Sequence, residues 1–161
     1  MSRGPGDVPR PESTDALGRP VKCSVAAVVR RVGAPGEFLA VRRPPDDDHL
    51  PNVWGLPAVS LRDGELPEAA LRRLGEEKLG ARLEPTRFIG IKAADRGDYL
   101  LILMDLEARV VTGEPSVQAA RTLGTAYVEQ RWTSDARLLR DAAARGSVCS
   151  RILLEAEGIP Y

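Results

Sequence analysis

A chain of 161 residues with 43% apolar content holds one domain with a real core and leaves no room for two ordinary ones. Lysine plus arginine and aspartate plus glutamate both number 23, so no net field draws the chain toward nucleic acid polymers or anionic membranes. The opening residues lack an apolar signal core, no run approaches a membrane span, and Cys23 and Cys149 lie too far apart for metal spacing; reduced thiols in a cytoplasmic protein are expected.

Residues 1–20, rich in Gly, Pro, Ser and charge, are expected to form a flexible N-terminal tail, and 21–161 a single domain that includes the C-terminal helices. Val21 to Val32 reads as a strand, Ala34-Pro35-Gly36 as a turn, and Glu37 to Arg42 as a second strand closing a hairpin. Pro44-Pro45-Asp46-Asp47-Asp48 forces a loop, because tandem prolines lack backbone donors and an acidic run stays solvated. Trp54 to Leu61 is short and extended. Pro67 opens a helix, since its fixed φ suits the first helical position, although Leu66 before it is a poor cap; the helix is expected to stop at Gly80. Phe88 to Lys92 and Tyr99 to Val111 read as strands around Asp95-Arg96-Gly97-Asp98. The continuous apolar run Leu100 to Met104 marks a central, doubly buried strand. Val128 to Trp132 is one more candidate strand, Ser134 caps a helix to about Arg145, and Val148 to Ala156 is the last helix. This order is that of an α/β fold with a mixed sheet between helices.

The segment Gly64 to Gly80 reads Gly-Glu-Leu-Pro-Glu-Ala-Ala-Leu-Arg-Arg-Leu-Gly-Glu-Glu-Lys-Leu-Gly. It resembles the signature of the Nudix hydrolases, which is Gly, five residues, Glu, seven residues, then Arg-Glu-hydrophobic-any-Glu-Glu-any-Gly-hydrophobic. Laid on without gaps, Glu65, Arg73, Glu77, Gly80 and Ala81 fall into place, while Val59, Leu74, Gly75 and Lys78 depart from the pattern. A second register, slipped by one residue, puts Arg72 at the arginine and Glu76-Glu77 at the paired glutamates. Both registers keep Glu77. Arg42-Arg43-Pro44, Trp54-Gly55-Leu56-Pro57, Gly113-Glu114-Pro115 and Arg131-Trp132 are similar to further landmarks of that family in the same order, and the likeness spans about Val21 to Trp132.

The resemblance implies a Nudix-type α/β/α sandwich whose signature segment is a loop–helix–loop. It also implies cleavage of a phosphoanhydride bond in a nucleoside diphosphate-linked or similar small molecule, with Mg2+ or Mn2+ as cofactor. Such ions act as Lewis acids and orient the attacking water, and carboxylates at i, i+3 and i+4 of one helix can hold them. By that likeness Glu77, Glu76 and Glu65 are the candidate metal ligands and catalytic carboxylates. Arg73 orients them by ion pairing. Arg42, Arg43, Trp54 and Lys78 are candidates for binding substrate. The resemblance also makes a homodimer one use for the C-terminal helices. His49 is a candidate substrate contact, Asp46-Asp47-Asp48 a metal candidate, and Glu114 and Glu129 are candidates for an extra carboxylate. The rival reading is a module of the same fold that has given up hydrolysis and binds a nucleotide or a protein, with Lys78 meeting phosphate as a point charge. A third is an unrelated α/β protein whose helix only mimics the signature.

Overall fold

A computed structural model describes residues 14–121 and 126–161. Strands β1 (Val21–Arg31), β2 (Ala34–Arg42), β3 (Trp54–Gly55) and β4 (Ala58–Ser60) precede helix α1 (Pro67–Leu74), which runs directly into a π turn (Gly75–Leu79). Then follow β5 (Arg82–Asp95), β6 (Leu100–Thr112), β7 (Glu129–Thr133), a 3-10 turn (Ala136–Leu139), α2 (Arg140–Ala144) and α3 (Val148–Ala156). The sheet order is β3-β2-β1-β6-β5, with β4 paired to β1 and β7 to β2. Among the described residues only β1 with β6 runs parallel, so the sheet is mixed, as expected.

Alternation along β1 splits the core in two. Val25, Ala27 and Val29 face α1, and with Leu71 and Leu74 of α1, Leu79 of the π turn and Leu83 of β5 they form one apolar cluster. Ala26 and Val28 face the other way, onto Leu139, Ile152, Leu153 and Leu154 of the C-terminal segments. The sheet is therefore covered on both faces, which makes the α/β/α sandwich.

Four expectations change. Thr14 to Pro20, assigned to the flexible tail, is held in place: Thr14 bridges Pro20, the Asp15 carboxylate accepts from the Leu17 and Arg19 amides, and Arg19 pairs with Asp95 at 2.7 Å. The rest of the expected tail, residues 1–13, lies outside the described residues. The first hairpin turns at Val32-Gly33 rather than at Ala34-Pro35-Gly36, because Gly33 takes φ 82° and lets Arg31 face Ala34 directly. Strand β5 begins at Arg82, six residues before the expected Phe88, and irregular pairing with β6 absorbs Pro85. The helix expected from Ser134 to Arg145 is a 3-10 turn followed by a short α2, with Asp135 rather than Ser134 accepting from the Arg137 amide.

Candidate functional site

Pro67 opens α1 without a side-chain cap from Leu66, whose extended backbone still accepts the Ala70 amide. Arg73, on the last turn of α1, aims back across the preceding loop. Its guanidinium makes two bonds to Glu65 (3.0 and 2.8 Å), one to the Ser60 carbonyl (2.7 Å) and one to Glu77 (3.3 Å). The Arg73 bonds hold the Glu65 carboxyl at a pKa of about 2. Glu77 accepts a further bond from Arg62 at 3.2 Å.

After Leu74 the helix widens into the π turn, which ends at Gly80 in the left-handed conformation, φ 60°. Gly75 is required by a close approach: a Cβ there lies 2.7 Å from both the Ala81 carbonyl oxygen and Leu83 Cγ. The turn brings Leu74 and Leu79, five residues apart, into the core, and turns Glu77 and Lys78 toward a cleft. π turns of this single-turn kind recur at functional sites.

Lys78 is buried, 8% exposed, with its ammonium 2.8 Å from the Ala58 carbonyl and 5.1 Å from the Tyr127 ring centroid. Loss of hydration, with Arg43 adding like charge, lowers its pKa to about 8. Tyr127 is buried beside it, receives the Ala58 amide at 3.0 Å, and is pushed up to about 12 by burial.

The cleft over these groups encloses about 870 Å³, within the range of a nucleotide-sized ligand site. Its near end is lined by Arg43, Arg62, Arg73, Glu77 and Lys78, its floor by Ala58 to Leu61, and its far end by Lys22, Arg96, Asp98, Tyr99 and Arg145. Seven cationic side chains thus face two carboxylates in a chain that is neutral overall. A concave, positively charged surface of this kind concentrates anions.

The structure brings Glu65, Arg73, Glu77, Lys78 and Arg43 into one neighbourhood, with Glu65 reaching it through Arg73. It leaves Glu76 out: that side chain borders a separate depression with Gly80, Ala81, Arg82 and Arg121. Arg72, the arginine of the slipped register, pairs with Glu84 instead. The gapless register is therefore the one whose Arg73 and Glu77 line the cleft. Arg42 is occupied by Glu129 and Asn52, and Trp54 packs against the core with Arg131 stacked on it at 5.0 Å; neither lines the cleft. His49 does line it, while Asp47 accepts the His49 and Leu50 amides and braces the loop. Lys22, Arg96, Tyr99, Tyr127 and Arg145 went unread in the sequence. Only folding brings residues so scattered together.

The expected divalent-metal set does not fit these residues. Mg2+ needs several hard oxygen ligands at near-octahedral geometry. Among the described residues no group of three or more His, Cys, Asp or Glu is placed to hold an ion. Glu65 and Glu77 are bound by arginines, Glu76 points elsewhere, and Leu74 is fully buried.

Comparison with known proteins gives a consistent fold. The family model for the NUDIX domain matches residues 22–145. A NUDIX hydrolase from Nitrosomonas europaea superposes with a TM-score of 0.63 at 22% identity, over 85% of this chain and 88% of its own. A MutT protein from Methanosarcina mazei Go1 gives 0.64 at 19% identity, over 87% and 98%. An ADP-ribose pyrophosphatase from Streptococcus suis 89-1591 gives 0.54 at 15% identity, over 87% and 94%.

Proposed function

The chain belongs to the NUDIX domain family, and on that footing we propose that it hydrolyses a phosphoanhydride bond in a small nucleotide-type molecule, with cleft cations neutralising much of the phosphate charge. The observation that carries this reading is Lys78: at a position where the family pattern places a glutamate, a buried ammonium faces the cleft. An ammonium has three donors, and the Ala58 carbonyl takes one, leaving two for phosphate oxygens. Arg43 and Arg62 line the same end and supply planar, bidentate donors. Charge on a phosphoryl oxygen is stabilised most where donors are already fixed and water is scarce, and Lys78 meets both conditions.

Glu77 is the one carboxylate of the signature helix on the cleft. In this reading Glu77, held by Arg73 and Arg62, accepts a proton from, and orients, an attacking water. Arg73 is a positioning residue: it ties Glu65, Ser60 and Glu77 into one frame. A second reading, a binding module without turnover, is favoured by that same double pairing, which occupies the Glu77 carboxylate with two guanidinium groups.

The test is release of phosphate or nucleotide from ADP, ATP, nucleotide sugars and ADP-ribose, the last chosen from the activity named for the S. suis neighbour. Each is assayed with Mg2+, with Mn2+ and with chelator, beside calorimetric binding of the same panel. Turnover lost in Glu77→Gln with binding retained supports the hydrolase. Binding without turnover under every condition, abolished in Lys78→Met, sinks the hydrolase in favour of the module.

A further inference from the structure

The far end of the cleft has chemistry of its own. Lys22 projects from the start of β1, Arg96 from the β5–β6 turn and Arg145 from the end of α2, and all three line the cavity with Tyr99. Arg96 donates to the Gly146 carbonyl at 2.9 Å, and Lys22 lies 5.8 Å from the Tyr99 ring centroid. Arg145 shares charge with Asp141 at 3.2 Å. Among the described residues the single carboxylate lining this end is Asp98.

The sheet register sets the spacing between the two ends. Ala26 faces Ala58, whose carbonyl takes the Lys78 ammonium, and Lys22 is four residues earlier on the same strand. At about 3.3 Å per residue the two points are roughly 13 Å apart along β1. That spacing puts Lys78 and Lys22 toward opposite ends of one cleft, whose whole volume is large enough for a nucleoside with its phosphates.

We propose that the Lys22–Arg96–Arg145 cluster is a second anion subsite, and that the ligand of this cleft carries a phosphate monoester remote from its diphosphate. This rests on the phosphoanhydride reading of the near end. The two anionic groups are bridged by a sugar or nucleoside, and the far phosphate meets three cations from three separate elements. Cations held on separate rigid elements discriminate by position and not merely by total charge.

The experiment measures binding of two probes by calorimetry at fixed ionic strength: ADP, and ADP bearing an added 3′-phosphate. It uses the full chain, Lys22→Gln/Arg96→Gln and Lys78→Met. All three substituted residues line the open cleft, and circular dichroism verifies that each variant is folded. The expected result is that the wild-type chain binds the 3′-phosphorylated probe at least tenfold more tightly, about 1.4 kcal/mol. The Lys22/Arg96 variant erases that preference and weakens ADP far less than the 3′-phosphorylated probe, while Lys78→Met weakens both probes. Equal wild-type affinities for the two probes overturn the subsite while leaving the near-end reading intact. A preference that survives in the Lys22/Arg96 variant overturns it too, since the phosphate is then read elsewhere. Failure of both probes to bind overturns the near-end reading and the subsite with it.

Discussion

Asp105 sits in the middle of β6, between Ala26 of β1 and Gly90 of β5, with no exposed surface and, among the described residues, no hydrogen-bond partner for either carboxylate oxygen. Burial alone raises its pKa well above the usual carboxylate range; burial, and after it the neighbouring Asp105, raises the Cys149 thiol as well. The native state therefore holds the acid protonated in a window where the unfolded chain, with an ordinary carboxylate near pH 4, has released the proton. The native state then binds one more proton, so stability falls by about 1.4 kcal/mol for each unit of pH above the unfolded value. The loss continues until the native pKa is passed. Against a total stability of roughly 5–15 kcal/mol this is a large effect. Asp105→Asn keeps the shape and removes the proton. Urea unfolding of both proteins from about pH 4.5 to about pH 8 reads the difference directly. The variant is expected to gain on the wild type as pH rises, with that slope, above a constant offset from its own unpartnered amide. A difference that stays flat across the range refutes the reasoning, because it means Asp105 is ionised in the native protein.

Installing the family's carboxylate by Leu74→Glu is expected to destabilise the fold by at least about 3 kcal/mol, because the position is fully buried among leucines; a melt within error of wild type refutes this. Gly75→Ala, whose Cβ meets the Ala81 carbonyl and Leu83 at 2.7 Å, is expected to cost about 1–3 kcal/mol in urea unfolding. Arg73→Gln strands Glu65, whose side chain is 14% exposed, and is expected to cost about 2–3 kcal/mol at neutral pH. The Glu65 pKa is depressed to about 2, so the Arg73→Gln deficit is present above the ordinary glutamate range and shrinks as pH falls toward about 2. An unchanged deficit in acid counts against the pairing.

Local chemistry made much of this fold legible. Proline at the first helical position, glycine at the last and the apolar run ahead of Asp105 each act through their own backbone or side chain, so Pro67, Gly80 and β6 were readable in place. The frame of Glu65, Arg73 and Glu77 was readable from the family resemblance, and only the four-residue Arg73–Glu77 pair was readable from spacing along the helix. What escaped depends on neighbours distant in sequence. Trp54 and Arg42 looked free for a ligand, yet Arg131 and Glu129, both on β7, occupy them. The seat of Lys78 depends on Ala58 and Tyr127, and the far cations converge from β1, the β5–β6 turn and α2. Asp105 is hidden because strand patterns show which face a residue takes, but not whether that face supplies a partner.

The π turn also bears on how long this helix needs to be. Leu74 and Leu79 are both at zero exposure although they stand five apart, where a regular helix would match residues four apart. The chain thus carries one residue beyond what its two inward leucines require. Glu76, facing away from the cleft, is the natural surplus. Removing it would restore a four-residue repeat between the leucines but end the π turn that presents Glu77 and Lys78 to the cleft, so the extra residue ties the helix's length to its site.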